Sequence, residues 1–142
     1  MTEILNVFVD NTPGRIKSVT ETLARENVNI IAFAVHDKGE FGLMKLVATE
    51  PERAKLILAE NGFACALREA MVVAVPDKPG NLNELTGILL EHGINISGIF
   101  GFVIEGGQTG ICCLETSEPV TKALQSELEQ AGFRILTSMT IF

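Results

Sequence analysis

Hydrophobic and polar positions along the chain form a pattern that is written twice. Ile4 to Val9 is a short apolar run of strong β-formers, stopped by the turn cluster Asp10-Asn11-Thr12-Pro13-Gly14; Met71 to Val75 repeats it before Asp77-Lys78-Pro79-Gly80. Each run predicts a strand. Beyond each turn, Ile16, Val19 and Leu23, and then Leu82, Leu85 and Leu89, recur at helical spacing, the apolar stripe of a helix lying on a sheet. Pro13 and Pro79 stand at the helix entrances. Asn27 and Gly93 tolerate the left-handed backbone that ends a helix. Two hairpins follow, Asn29 to Val35 with Phe41 to Ala48, and Asn95 to Ile104 with Thr109 to Glu115 across Gly106-Gly107. A further helix is predicted from about Pro51 to Asn61, with Thr49 and Glu52 at capping-box spacing, and its counterpart from about Glu118 to Ala131 behind Ser117. Gly62 and Gly132 stop them, before last strands at Phe63 to Glu69 and Phe133 to Ile141.

The duplication is visible in the residues themselves. Pro13 to Phe33 lies over Pro79 to Ile99 with identities at Pro13/Pro79, Gly14/Gly80, Thr20/Thr86, Leu23/Leu89, Asn29/Asn95 and Ile30/Ile96. Gly42 then aligns with Gly110, Leu46 with Leu114, and Gly62-Phe63 with Gly132-Phe133. The chain therefore reads as two domains, 1–69 and 70–142, joined near Glu69 and Ala70 without a Gly/Ser/Pro linker. The order β-α-β-β-α-β, twice, predicts an α+β protein: two tandem ferredoxin-like units, each an antiparallel four-stranded sheet with two helices on one face. The runs Met71 to Val75 and Ile30 to Val35 are apolar at odd and even positions alike, so the second sheet face is expected to be covered too, by another sheet or chain.

Composition narrows the function classes. The 142 residues are 46% hydrophobic and 20% charged, which favours a packed globule over disorder. Eleven Lys+Arg against 18 Asp+Glu give a net charge of −7 with no basic cluster, so a nucleic-acid partner lacks its electrostatic footprint. No apolar run reaches the roughly 20 residues of a membrane span. The N-terminus, acidic at Glu3, reads as a strand rather than a signal peptide, and the cytoplasm is the expected compartment. Three cysteines make a disulfide framework unfavourable, and adjacent Cys112 and Cys113 point to opposite strand faces and cannot share a metal; buried small hydrophobes are the expected role. Cys65 has no base near it in sequence, His36 and His92 fall at a hairpin and a helix end, and Glu84, Glu91 and Glu105 are scattered. No zinc, redox, P-loop or hydrolase motif is present, so neither metal nor cofactor is implied and the chain is not read as an enzyme.

The repeated loop carries the candidate chemistry. It follows a strand and opens a helix, which places the amides of Gly14, Arg15 and Ile16, or of Gly80, Asn81 and Leu82, at the positive end of a helix dipole, where a carboxylate or phosphate can bind. Fifteen residues after each glycine stands Asn29 or Asn95, an amide that donates and accepts. A simpler reading also stands: Pro-Gly forms a turn, and the asparagines end a helix.

A strand ending in [N/D]-x-P-G, followed by an amphipathic helix ending in V-N-I or I-N-I, resembles the ACT domain, a small regulatory module that binds amino acids in biosynthetic enzymes and transcriptional regulators. The resemblance spans nearly the whole chain as two tandem modules without an attached catalytic domain. It implies a ligand held at the interface between two modules, by the loop before the first helix of one and the second strand of the other. Asn11 and Asp77 match the loop side-chain contact, Gly14 and Gly80 the close-approach glycine, and Asn29 and Asn95 the second-strand amide; Thr12, Lys78, Ile30 and Ile96 complete the candidate set. Serine-sensing members resembling 3-phosphoglycerate dehydrogenase carry a histidine two residues before the loop asparagine, where Val9 and Val75 stand here, so serine is not implied. The expected partners are an amino acid, a second copy of the chain, and an enzyme or regulator that receives the signal. Two alternatives remain open: an assembly module that binds no ligand, and a small enzyme on the same topology. An acylphosphatase-like site would use Arg15, but its counterpart is Asn81; an RNA-binding sheet would need aromatics that Met71 to Val75 and Thr109 to Glu115 lack.

Overall fold

The structure, a computed structural model, describes residues 2–10, 12–37, 39–103 and 107–136, with the Phe102 side chain excepted. The elements in chain order are β1 (Thr2–Asp10), α1 (Arg15–Arg25), β2 (Ile30–Asp37), β3 (Phe41–Ala48), α2 (Pro51–Glu60), β4 (Ala64–Pro76), α3 (Asn81–Glu91), β5 (Ile96–Val103), β6 (Thr109–Thr116), α4 (Lys122–Gln130) and β7 (Arg134–Leu136). They fall into two compact units, Glu3–Arg68 and Met1–Thr2 with Glu69–Phe142. Both are ferredoxin-like and antiparallel: strands run β2-β3-β1-β4 in the first and β5-β6-β4-β7 in the second. The parts of the predicted second hairpin and last strand at 104–106 and 137–142 lie outside the described residues.

Alternation builds each core. In the first unit Leu5, Val7 and Val9 of β1 face Met44 and Leu46 of β3, and Val19 and Leu23 of α1 with Ala54 and Leu58 of α2 close over them. In the second, Met71, Val73 and Val75 meet Leu85 and Leu89 of α3 and Leu124 and Leu128 of α4. Burying each such side chain is worth about 1.5–3 kcal/mol. Helix ends agree with the sequence: Asn27 has φ 59° and Gly93 φ 69°, the same left-handed exit in both copies. The irregularity in β2 between Ile30 and Ala32 is likewise repeated in β5 between Ile96 and Gly98.

Four expectations are corrected. The strands predicted at Phe63 to Glu69 and Met71 to Val75 are one unbroken strand, since no glycine or proline interrupts Ala64–Pro76; Cys65 and Leu67 pack on the first core, and Met71 and Val73 belong to the second. No capping box forms at α2, whose N-cap is Glu50, nor does Ser117 cap α4, which begins later behind Thr121 with Thr121 Oγ1 accepting from Leu124 N at 3.2 Å. Thr49 and Ser117 have another task, described below. Finally, double-sided burial holds for Ala70, Val72 and Ala74, at 5% exposure or less, but β2 is an edge strand on which Phe33 remains 68% exposed.

Candidate functional site

The two repeated loops share a backbone and differ in their side chains. Gly14 and Gly80 are the N-caps of α1 and α3 with φ near 90°, a left-handed conformation that costs other residues about 1 kcal/mol or more. A β-carbon at either would meet nothing within 4 Å, so the dihedral alone accounts for glycine there. The amides predicted to be free are only partly so: Arg15 N donates to Thr12 O and Asn81 N to Lys78 O, closing a turn. Among the described residues, the Ile16 and Leu82 amides have no such turn bond. Asn11 lies outside the described residues.

In the first unit Arg15 turns back over the fold. Its guanidinium carbon sits 4.8 Å from the centroid of the Phe63 ring, and Nε lies 3.6 Å from Asp10 Oδ2. Thr12 and Ile16 are exposed.

In the second unit the matching position is Asn81, whose Nδ2 donates to Pro76 O at 2.7 Å and so closes the loop on itself. Asp77 N donates to Gln108 O at 3.0 Å, tying the loop to the β5–β6 turn. A cleft of about 250 Å³ opens beside it. Asp77, Lys78 and Asn81 contribute polar lining. Val75, Pro76, Leu82 and Val103 supply apolar walls, and Gly101, Gly110, Ile111 and Cys112 lie along β5 and β6. Ladder register explains the grouping, since Val73 pairs with Cys112, Cys112 with Gly101, and Gly110 with both Val75 and Val103, so all share the helix-covered face.

Of the sequence-predicted residues, Asp77, Lys78, Asn81 and Leu82 thus come together around one cavity, with Gly80 shaping their loop. Asn95 and Ile96 do not line it: Asn95 precedes Gly101 by six strand residues, roughly 20 Å along β5 at about 3.3 Å per residue. Asn29 and Asn95 instead have latched main chains. Asn29 N donates to Thr49 Oγ1 and Asn95 N to Ser117 Oγ, both at 3.2 Å, while Thr49 N and Ser117 N donate to the asparagine carbonyls at 3.0 and 2.9 Å. This engagement is why neither hydroxyl caps a helix. The asparagine side chains are left exposed, and Ile30 and Ile96 half-buried.

Cys112 packs partly buried against the second core, as expected of a small hydrophobe, and also lines the cleft. Cys113 is 1% exposed and burial, together with Cys112, pushes its thiol up to about 12; Cys112 is half-buried against the cleft, its thiol raised by burial. Gly101, Val103, Gly110 and Cys112 were not legible as site residues from either copy alone. Two of them differ between the copies, since Val35 and Met44 stand where Gly101 and Cys112 do. Among the described residues no three His, Cys, Asp or Glu side chains group as a metal site, and no helix is long and apolar enough to cross a membrane.

Comparison with known proteins agrees with this architecture. A solved protein from Bacteroides thetaiotaomicron is similar over 95% of this chain and 91% of its own, with 25% identity and a TM-score of 0.84. The regulatory subunits of aspartate kinase from Thermus thermophilus and Thermus flavus share the fold at TM-scores of 0.67 and 0.62. Their identities are 16% and 18%, over 91% of both chains in the first case and 93% of this chain and 94% of that in the second. No curated protein matches. The family model for the ACT domain pair matches residues 1–130, and the chain belongs to that family.

Proposed function

We propose that the protein is a non-catalytic regulator that binds an amino acid through its ACT modules, 1–69 and 70–142, and passes the signal to a partner enzyme or regulator. Family membership supports the regulatory, amino-acid-sensing role, and one observation carries the ligand: the cleft of about 250 Å³ beneath the Asp77-Lys78-Pro79-Gly80 loop. It falls slightly below the usual size of small-molecule sites, about 300–1,000 Å³, and joins opposite charges to apolar walls. A zwitterion has matching needs: Asp77 faces an ammonium, Lys78 a carboxylate. The solved Thermus relatives are named as regulatory subunits, which fits output through a separate enzyme.

Asn29 and Asn95 belong to this proposal in a different way. Within one module Asn95 stands too far along its strand to share a small ligand with Asp77, so a ligand touching both kinds of residue would take the asparagine from another module. The exposed edge strand β2, with Phe33 at 68% and Val35 at 40% exposure, supports a homodimer as the source. The same edge favours the second reading, an assembly module without a ligand.

A dye-reported thermal-shift screen of the twenty amino acids separates the two, since the chain has no Trp or Tyr to report binding. A ligand at 100 times its Kd adds about 2.7 kcal/mol and raises Tm by roughly 5–10 °C. No shift at millimolar concentration would favour the assembly reading.

A further inference from the structure

At three aligned positions around the cleft the second unit carries the smaller residue. Gly101, Cys112 and Asn81 in the second unit stand where Val35, Met44 and Arg15 stand in the first. All three line the cleft of the second unit. The first-unit residues are larger by a branched side chain, by a longer thioether and by a guanidinium arm. Met44 is 1% exposed and packed in the first core, whereas Cys112 is half-buried. Arg15 is folded onto Phe63, whereas Asn81 draws back to its own loop carbonyl. A glycine in the middle of a strand weakens it, and is expected where something must approach the backbone. At Gly101 the space is narrow: an added β-carbon would stand 3.1 Å from Ile111 O and 3.4 Å from Cys112 Sγ.

We infer that the protein is an asymmetric sensor, in which only the second unit takes a ligand, a small aliphatic amino acid, and the first unit is a structural copy with larger residues at the matching positions. This rests on the amino-acid-binding reading above and goes beyond it by assigning one site per chain and a ligand class. The class follows from the lining. Val75, Leu82 and Val103 offer an apolar wall, and the charged residues of the lining, Asp77 and Lys78, are those the zwitterion itself would engage, so a charged side chain would find no further partner there. A cleft of about 250 Å³ has room for the ammonium and carboxylate together with a small aliphatic side chain. Asp77, where the first copy has neutral Asn11, selects for the ammonium.

Titration calorimetry on the full chain tests this with alanine, valine, leucine, isoleucine, phenylalanine, aspartate and lysine as probes. The expected result is one aliphatic ligand bound per chain, at least tenfold weaker in Asp77→Asn, which alters only an exposed loop side chain, and lost in Cys112→Met, which installs the first unit's residue. Circular dichroism checks that Cys112→Met remains folded. Two equivalent ligands per chain, or full affinity in folded Cys112→Met together with unchanged affinity in Asp77→Asn, would overturn the asymmetry while leaving amino-acid sensing intact. Preference for phenylalanine, aspartate or lysine would overturn the ligand class, and no binding by any amino acid would overturn both this inference and the reading beneath it.

Discussion

Gly101 and Cys112 are direct partners in the β5–β6 ladder, and a β-carbon on the glycine would stand 3.4 Å from the cysteine sulfur. The pair leaves the helix-covered face of the second sheet open at one end, where Val35 and Met44 are partners in the first. Substituting Gly101 by valine therefore both fills the cleft and crowds the Ile111 carbonyl. The variant should lose about 1–3 kcal/mol, as overpacked sites do, and should no longer bind an amino acid; urea unfolding and calorimetry read the two effects separately.

Thiol labelling should distinguish three environments. Burial raises all three thiols, Cys113 furthest, to about 12, so at pH 8 iodoacetamide should modify half-buried Cys65 and Cys112 slowly and leave Cys113 intact in the folded chain. A bound amino acid should protect Cys112 and leave the rate at Cys65 unchanged. Peptide mapping by mass spectrometry gives both rates in one sample, and equal protection of Cys65 and Cys112 would point to general stabilisation instead of occupancy of the cleft.

The same thiols predict an alkaline limit to stability. Cys113 keeps its proton in the folded state up to about pH 12, whereas the unfolded chain begins to lose it near 9.0. Between these values the folded state binds more protons than the unfolded one, so stability falls as pH rises, by on the order of 1 kcal/mol per pH unit. Urea midpoints measured at pH 8, 9.5 and 10.5 should decline in the native chain and decline less in Cys113→Ala, after allowing for the lower starting stability of the variant.

Removing the hydroxyl latch should cost little but should do so alike in both copies. Thr49→Val and Ser117→Ala each delete the oxygen that accepts from the following copy-equivalent amide, Asn29 N or Asn95 N. With these groups exposed, water takes over part of the bond, and a loss of about 0.5–1.5 kcal/mol is expected in each case. A loss above 3 kcal/mol in either variant would show that the latch holds more of the strand than its own hydrogen bonds.

Much of the fold was legible because the chain says it twice. Pro-Gly after an apolar run, a helical stripe and a glycine stop recur at fixed spacing, and a reading that is ambiguous once is constrained by its repeat. Positions set by backbone dihedral, such as Asn27 and Gly93, were the most secure, since few residues accept a positive φ. Thr49 and Ser117 misled for the opposite reason. A hydroxyl before a helix satisfies whichever donor lies nearest, and tertiary structure brought Asn29 N and Asn95 N closer than the helix amides. The strand Ala64–Pro76 reads as two at the repeat boundary because the polar pair Arg68-Glu69 separates two apolar runs, although no glycine or proline stops it there.

The candidate site was legible only along its loop. Asp77, Lys78, Asn81 and Leu82 are legible from the turn and helix entrance, whereas Gly101 and Gly110 contribute to the cleft by lacking a side chain. Space is a property of small side chains on neighbouring strands, and neither Gly101 nor Cys112 carries a chemical signature. Only ladder register, which pairs them directly, turns two unrelated sequence positions into one cavity.

The most direct test of the account is a backbone NMR titration of the full chain with the aliphatic amino acid that binds best. The account predicts shift changes concentrated on Asp77 to Asn83, Gly101 to Val103 and Gly110 to Cys112, saturating at one ligand per chain. Changes centred on Thr12 to Ile16 and Val35, or spread equally over both loops, would contradict it.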